Sequence, residues 1–581
     1  MEALLIMVVA FVGYLVMYQL YGRYIGRIIF GLSDKAVAPS VAMEDGVDYV
    51  PTKKEVIFGH HFTSIAGTGP IVGPAIAIIW GWVPALLWVF VGSVVMGAVH
   101  DFGALIISMR NQGKSISDYT AKYVNGRTRL LFFFIVFLEL WIVIAIFGLV
   151  IAIIFAMYPQ SVLAVWVEVP IAMALGYLVY RKNKNILGLS IWAIVIMYAF
   201  VFLGPYLPIK MPAVFGIPAT GVWTIILLAY GFIASVLPVT ALLQPRDFIN
   251  SHQLVIAMAL MVLGVLTAAF GGNLHMVAPA VQMTPEKAPS MWPFLFITIA
   301  CGAISGFHAL VSSGTSAKQV RTEDDSLFVG YGSMLMEGAL ATLVIVAVAA
   351  GIGMGYTTKA GETLSGVAAW TTHYSSWAAA AGLGSKISAF VDGAANMINT
   401  TGIPKQFTLA IMAVFVASFA GTTLDTATRI QRYVLSELFV SLRLNFLTGK
   451  YTATAIAVVT ALILAFATGA SGKGALKLWP LFGAVNQTLA ALALIIITVY
   501  LKTRGGLKWL AAGIPALFMA VMTLWAAVLN QFKFGGSHNL LLQTINVVII
   551  FIAAWILLEG IVKFFQTEAG EEPESGTTEA A

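Results

Sequence analysis

Long apolar stretches separated by short polar connections recur along almost the whole chain. A helix of roughly 17 to 25 predominantly apolar residues is long enough to cross the hydrocarbon core of a bilayer. The chain is therefore predicted to be an all-α polytopic membrane protein. The pattern predicts about 15 membrane-spanning helices, near residues 3–27, 57–79, 84–107, 130–157, 162–180, 187–207, 222–243, 254–272, 293–314, 328–353, 406–428, 453–469, 480–501, 509–529 and 543–565.

Composition narrows the class of protein further. Of the 581 residues, 60% are hydrophobic and 10% are charged, whereas a soluble domain carries about 25% charged residues. The single cysteine, Cys301, excludes an intramolecular disulfide and a cysteine cluster for zinc or iron–sulfur. Neither the His-Glu-x-x-His nor the Gly-x-Ser-x-Gly signature of a protease occurs. We expect a protein that is not an enzyme and that holds no metal and no cofactor.

Lys and Arg side chains are divided unevenly between the two sets of alternating connections. One set holds 24 of the 32 basic side chains, and the other set holds the remaining 8. Because positive charge marks the cytoplasmic side, we expect a periplasmic N-terminus and a cytoplasmic C-terminus. The net charge of +6 therefore reports topology and predicts no nucleic-acid partner. The acidic segment 566–581 is predicted to be a disordered cytoplasmic tail.

The apolar span at 57–79 is interrupted by Gly67-Thr68-Gly69-Pro70. Gly and Pro weaken the helical hydrogen-bond ladder, and lipid cannot bond to the freed backbone groups, so the segment must be buried in protein or line a cavity. Broken helices of this kind form the midplane sites of secondary transporters. The alternative is that the glycines only allow close helix packing. The candidate substrate-binding residues are His60, His61, Thr63, Ser64, Gly67, Thr68 and Gly69.

The adjacent histidines in this span cannot serve the same purpose. On a helix, neighbouring side chains point about 100° apart. We therefore expect either His60 or His61 to face the cavity and the other to face a neighbouring helix.

Two further segments carry candidates for ion coupling. Ser312, Ser313 and Thr315 offer hard oxygen ligands for Na⁺, although such hydroxyls often bond only to the preceding helical turn. Asp425, with Thr422 nearby, suits a relay for H⁺ or Na⁺, or else forms only an ion pair with Arg429 one turn later. The other candidates at membrane depth are His100, Asp101, Glu139, His308, Glu337, Gln244 and Asp247.

Prolines suggest a second interruption. Pro238 and Pro245 bracket a short piece of the segment 231–247, which is predicted to be a broken helix five spans after the first. Two broken helices at this separation are typical of a 5+5 inverted repeat. The predicted parts of the chain are an extra helix at 1–30, a transporter core at 57–428 with repeats at 57–207 and 222–428, and extra helices at 453–565. The polar segment 355–405 is expected to lie on the outer membrane surface as a hairpin, rather than to act as a lid.

Four segments together resemble the carbon starvation protein A family, and the resemblance runs from the first span to about residue 565. The segments are 59–74 (GHHFTSIAGTGPIVGP), His100-Asp101-Phe102, Gln244-Pro245-Arg246-Asp247, and Leu424-Asp425-Thr426 with Arg429. The resemblance implies a multi-pass transporter of a bacterial inner membrane, in the amino acid–polyamine–organocation superfamily. It also implies that 57–79 and 222–247 carry the substrate and that 293–316 contributes to a sodium site.

The function expected from these observations is the cation-coupled import of a small nutrient, with peptides or pyruvate as the substrates that the resemblance implies. The partners expected are this small molecule and membrane lipid, and the coupling ion is H⁺ or Na⁺. A channel or nutrient sensor with the same fold is an alternative. A haem-binding redox protein, with ligands among His60, His61, His100 and His308, is another. The substrate, the coupling ion and the oligomeric state are left open by the sequence.

Overall fold

The computed structural model describes residues 1–33, 35–182, 184–358, 361–568 and 570. The predicted disordered tail at 566–581 therefore lies almost wholly outside the described residues. Within them the chain is predominantly helical, with one two-stranded hairpin, which confirms the all-α prediction. The first half contains α1 (Glu2–Met17), α2 (Pro39–Ala42), α3 (Lys54–Ala66), α4 (Gly69–Ala77), α5 (Trp82–Val91), α6 (Ala98–Arg110), α7 (Ile116–Tyr123), α8 (Gly126–Met157), α9 (Val162–Gly176), α10 (Ile186–Leu203), α11 (Ala219–Val236) and α12 (Leu243–Phe270).

The second half continues the same architecture. Its hairpin pairs β1 (Tyr356–Thr357) with β2 (Thr363–Leu364) in antiparallel register. Its helices are α13 (Met291–Thr298), α14 (Gly306–Gly314), α15 (Glu323–Ser326), α16 (Ser333–Ala349), α17 (Gly366–Tyr374), α18 (Trp377–Ala381), α19 (Leu383–Asn399), α20 (Lys405–Ser441), α21 (Lys450–Phe466), α22 (Trp479–Thr503), α23 (Leu510–Gly536) and α24 (Leu540–Gln566).

Among the described residues, 12 helical segments are long and apolar enough to cross a membrane, and α3 with α4 makes a bent thirteenth. Short π-helical turns join α5 to α6 and α15 to α16, so that each pair is one continuous segment. The two remaining predicted spans take other forms. The span at 453–469 is the shorter helix α21, and the span at 293–314 is divided into α13 and α14. The count of 15 spans stays a prediction.

The helices differ strongly in how deeply they are buried. The most apolar window of α22 is 100% buried within the protein, and the corresponding window of the segment Lys405–Ser441 is 89% buried. The window of the N-terminal segment is only 28% buried, and that of α24 is 33% buried. Because lipid tails are as apolar as leucine, the large hydrophobic side chains on these outer helices need no protein cover. The central helices therefore surround the polar groups described below.

The predicted interruption of the first broken helix is confirmed. α3 ends at Ala66, α4 begins at Gly69, and the two helices are bent by 41°. Gly67 has φ +42° and ψ −141°, a backbone conformation that residues with a Cβ rarely adopt. Pro70 occupies the first turn of α4, where its missing N–H removes no helical hydrogen bond.

The second predicted interruption lies elsewhere. The segment 231–247 is the connection between two separate helices rather than a broken one, because α11 ends at Val236 and α12 begins at Leu243. Pro238 lies in this connection, and Pro245 lies in the first turn of α12, where proline is tolerated. A longer interruption falls within the predicted span at 293–314, where α13 and α14 are separated by residues 299–305. The repeat boundaries at 57–207 and 222–428 stay a prediction.

The segment 355–405 does not lie on the membrane surface as a simple hairpin. Its last helix, α19, packs into the bundle against α4, α12, α16 and α20. Of its side chains, Lys386 is only 3% exposed. The interfacial hairpin expected from the aromatic residues is therefore wrong for α19, because its apolar face finds a place within the helix bundle.

Candidate functional site

A cavity of about 270 Å³ lies against the break between α3 and α4. It extends from the break along α4, toward the side of the membrane on which α13 and α22 begin and α23 ends. Most of its wall is apolar. None of the residues that the structure places in this wall is acidic. Apart from the indoles of Trp377 and Trp479, its polar or basic side chains belong to Thr68, Thr298, Cys301, Ser305, Lys386, Thr423, Asn486, Asn530 and Lys533.

Gly67, Thr68 and Gly69 lie in the cavity wall. A Cβ at Gly67 would collide with the Thr423 hydroxyl, and a Cβ at Gly69 would collide with the Cys301 side chain. The two glycines therefore permit the close approach of backbone to these neighbours. Because α4 begins at Gly69, the N–H of this residue has no partner within the helix, and the helix dipole places partial positive charge beside the cavity.

The other candidates on α3 lie outside this wall. His60 Nδ1 donates to the Asp247 carboxylate on α12, and His61 Nδ1 lies 2.8 Å from Ser316 Oγ. Thr63 Oγ1 donates to the Gly59 carbonyl at 2.8 Å. Both imidazole rings thus contact residues of other elements. This arrangement differs from the expectation that one of the two histidines faces the cavity.

The remaining residues of this group link α3 to α20 and α12. Ser64 Oγ lies 3.0 Å from Thr426 Oγ1. Thr422 Oγ1 accepts from Asn250 Nδ2 at 3.0 Å. Ser64 and Thr422 thus hold helices together beside the break and do not line the cavity.

Asp425 belongs to a fully buried cluster around Arg246. Arg246 Nη1 donates to the Asp425 carboxylate, and Arg246 Nε donates to Glu168 Oε1 at 3.2 Å. The Tyr230 hydroxyl donates to Asp425 Oδ2 at 2.7 Å. Sequence reasoning did not find this cluster, because its members come from four different helices. A single signal existed, namely that a buried arginine in an apolar span requires carboxylate partners.

The ion pair considered between Asp425 and Arg429 does not form. Arg429 Nη1 instead donates to Asp48 Oδ1 at 2.8 Å. Arg432 Nη2 lies 3.4 Å from the same oxygen, and the Tyr433 hydroxyl donates to it at 2.6 Å. Burial raises the pKa of Asp48, but Arg429 and Arg432 outweigh burial and lower that pKa below its usual 3.8.

The Asp48 cluster lies on the opposite side of the protein from the cavity mouth. α3 begins near Asp48 on one side of the bundle, and α4 ends on the other side. The cavity wall contains residues of this broken helix only from Ile65 onward. The cluster therefore closes the half of the bundle that the cavity does not enter.

Two histidines and two acids form a second buried cluster. His100 Nδ1 donates to Asp101 Oδ1 at 2.8 Å, and His308 Nδ1 donates to Asp101 Oδ2 at 2.9 Å. His308 Nε2 lies 3.4 Å from Glu337 Oε2. All four side chains are completely buried. Sequence reasoning named each of these residues but did not place them together.

Two of the three hydroxyls proposed for a sodium site bond to the preceding turn of their own segment. Ser313 Oγ donates to the Ala309 carbonyl at 2.7 Å, and Thr315 Oγ1 donates to the Val311 carbonyl at 3.2 Å. These are the bonds to the preceding turn that the alternative interpretation expects. Ser312 Oγ finds no hydrogen-bond partner among the described residues.

Glu139 and Gln244 have contrasting surroundings. Both carboxylate oxygens of Glu139 are buried without a hydrogen-bond partner in the described part of the chain. Gln244 Nε2 donates to Thr52 Oγ1 at 2.9 Å, and its Oε1 accepts from the Tyr180 hydroxyl at 2.7 Å. Neither side chain lies in the cavity wall.

Comparison with known proteins gives a consistent family. A family model described as carbon starvation protein CstA matches residues 2–526. The chain is 32% identical to a protein of Campylobacter jejuni named peptide transporter CstA, over 91% of this chain and 80% of the relative. It is also 32% identical to the pyruvate/proton symporter BtsT of Escherichia coli, over 92% of this chain and 82% of the relative.

A third relative matches over nearly its full length. The chain is 31% identical to the peptide transporter CstA of Bacillus subtilis, over 97% of this chain and 98% of the relative. Among solved structures, a manganese transporter of Eremococcus coleocola is similar at 12% identity, with a TM-score of 0.46, over 90% of this chain and 99% of that one.

Proposed function

Because the chain belongs to the carbon starvation protein CstA family, we propose that it is a secondary transporter that imports a small carboxylate. The substrate site in this proposal is the cavity beside the break between α3 and α4. Pyruvate is the substrate that the cavity suits best, and the coupling ion is H⁺. The observation that carries the proposal is the charge of the cavity wall.

That wall supports an anion and disfavours an ammonium group. It contains Lys386 and Lys533 and, among the described residues, no carboxylate. The N-terminus of α4 adds partial positive charge from Thr68 onward. A peptide also carries an ammonium group, whose desolvation would need an acidic partner. A monocarboxylate such as pyruvate has no such requirement, so the wall favours it over a peptide.

The side on which the cavity opens supports import. The distribution of Lys and Arg assigns the N-terminal ends of α13 and α22 to the periplasmic side. On this assignment the cavity opens to the periplasm of a bacterial inner membrane. The Asp48 cluster, with Arg429 and Arg432, then closes the cytoplasmic half. Alternating access requires this cluster to open when the cavity closes.

The proposed proton site is the pair of His60 and Asp247. It joins α3, which carries the break, to α12. Both side chains are buried, so gain or loss of a proton changes the net charge held between the two helices. Asp425 is already held by Arg246 and Tyr230, which makes it the less suitable proton carrier. A change of charge at His60 is well placed to alter the position of α3.

Uptake by the purified protein in proteoliposomes tests this function. We expect saturable accumulation of labelled pyruvate when the lumen is alkaline, and loss of accumulation when a protonophore collapses the gradient. Dipeptide uptake is expected to be much weaker. A sodium gradient without a proton gradient serves as the control for coupling. Accumulation of dipeptide but not of pyruvate would overturn the substrate, and non-saturable flux would indicate a channel.

A further inference from the structure

Three side chains with metal-binding atoms meet beside the cavity, outside the groups assigned to substrate or proton. One ligand atom each of Cys301, His308 and Glu337 lies within 4.8 Å of the other two. His308 and Glu337 are completely buried, and Cys301 lines the cavity. The three residues come from the break between α13 and α14, from α14, and from α16.

The histidine in this group is oriented as a ligand. Its Nδ1 donates to Asp101 Oδ2 at 2.9 Å, and a carboxylate can only accept this bond. In the neutral ring, Nε2 therefore carries the lone pair and points toward Glu337. Nε2 has no hydrogen-bond partner among the described residues. A carboxylate behind a histidine is the usual arrangement around zinc, because it fixes the ring and raises its basicity.

The glutamate is oriented in the same manner. Glu337 Oε1 accepts from the Gly302 backbone N–H at 2.9 Å. Its other oxygen, Oε2, is buried, has no hydrogen-bond partner in the described part of the chain, and lies 3.4 Å from His308 Nε2. Two unpartnered buried atoms that face each other beside a thiol need a ligand or a proton between them.

The thiol provides access from solvent. Cys301 is the only member of the group that lines the cavity. A cation that binds here is therefore reached from the cavity, and its fourth ligand position faces the same space. Three protein ligands with one open position are typical of zinc sites that exchange a water or a small anion.

We propose that Cys301, His308 and Glu337 form a binding site for Zn²⁺, with Asp101 as the positioning residue for His308. A thiolate with an imidazole favours zinc over Mg²⁺ or Ca²⁺, which prefer oxygen ligands only. The proposal is independent of the transported substrate. In the absence of the ion, a proton on His308 Nε2 takes its place and pairs with Glu337.

Zinc content measured on the purified full-length protein tests the site. After equilibration with Zn²⁺ and removal of free ion, we expect one zinc per chain by elemental analysis. Cys301→Ser, His308→Gln and Glu337→Gln are each expected to lose it. Asp101→Asn is expected to keep the site but to weaken its affinity roughly 10- to 100-fold. His275→Gln and Glu286→Gln, which change exposed side chains, are the matched controls.

A second measurement uses the wild-type protein alone, so it does not depend on folding of the variants. Because Cys301 is the only cysteine, maleimide labelling reports this thiol without a cysteine-free background. We expect Zn²⁺ to slow labelling at least tenfold, Mg²⁺ to leave it unchanged, and a chelator to restore it. Co²⁺ is expected to give a thiolate charge-transfer band. Equal labelling rates with and without Zn²⁺, together with no zinc above the level of a Cys301→Ser sample, would overturn the site.

Discussion

Lys386 shows how a single residue can set the chemistry of a cavity. It lies on α19, is only 3% exposed, and contributes to the wall of the cavity. Its ammonium group is one of two positive charges in the wall, and the other belongs to Lys533. Within the proposed function, the substrate carboxylate gives this lysine its role.

Replacing Lys386 with glutamine tests that role. A hydrogen bond to a charged group contributes about 1.5–3 kcal/mol, and 1.4 kcal/mol corresponds to a tenfold change in binding. We therefore expect Lys386→Gln to raise the KM for pyruvate roughly tenfold or more. Lys405→Gln, which removes an exposed lysine beyond the same helix, is the matched control. Equal KM values for the two variants would place the substrate carboxylate elsewhere.

At the scale of elements, the break between α3 and α4 combines a local and a tertiary requirement. Gly67 has a positive φ, which is a local property of its backbone. The neighbouring Thr423 on α20 leaves no room for a Cβ, which is a property of helix packing. Either requirement alone would favour glycine at this position.

Gly67→Ala is expected to reduce uptake at least tenfold. The backbone conformation of Gly67 costs on the order of 1–3 kcal/mol for a residue with a Cβ, and the new methyl group must displace Thr423 at the base of the cavity. Gly148→Ala on α8 is the control, because a Cβ there meets its nearest neighbour at an ordinary 3.5 Å. Uptake rates are compared at equal amounts of reconstituted protein. Normal uptake by Gly67→Ala would show that the geometry of the break does not matter for transport.

At the scale of the whole molecule, the cavity and the Asp48 cluster occupy opposite halves of the bundle. The cluster joins the segment before α3 to α20 through Arg429 and Arg432. Weakening it should favour the state that is open on the cluster side. A two-state equilibrium moves by the difference in interaction free energy between its states.

Asp48→Asn is therefore expected to slow labelling of Cys301 from the cavity side by about two- to tenfold, since the open cavity becomes less populated. Glu44→Gln, which changes an exposed neighbour outside the cluster, is the control. Labelling rates with an impermeant maleimide give the measurement. Unchanged labelling of Asp48→Asn would separate the cluster from closure of the bundle.

The pH dependence of this effect follows from the lowered pKa of Asp48. An acid whose pKa is lower in the folded state stabilises that state above its unfolded pKa, and loses this contribution as the pH falls through the folded value. Because both values lie at or below 3.8, the ratio of wild-type to Asp48→Asn labelling should stay constant between about pH 6 and 8. A ratio that changes within this range would assign the closure to another titrating group.

Much of the architecture was predictable because the responsible signals are local. The length of an apolar run predicts a spanning helix, and Gly67 with Pro70 predicts a break within about one turn. Proline was less informative at 231–247. Pro238 follows the end of α11, and Pro245 lies in the first turn of α12. Proline is as compatible with these two positions as it is with a broken helix.

The site was predictable only where the backbone itself forms it. Gly67, Thr68 and Gly69 line the cavity, and their composition alone indicated an unwound turn. His60 and His61 lie one residue apart from each other, yet their partners Asp247 and Ser316 lie far along the chain. No spacing rule connects residues separated in this way, so their contacts could not be predicted.

The sequence by itself determined that this is a helical membrane protein with a broken helix at Gly67, because hydropathy and helix breaking depend on short stretches of chain. Only the tertiary structure decided which charges pair and which side chains reach the cavity. Arg246 joins Asp425 and Glu168, and Cys301 meets His308 and Glu337. These arrangements depend on the packing and rotation of separate helices, which local composition does not specify.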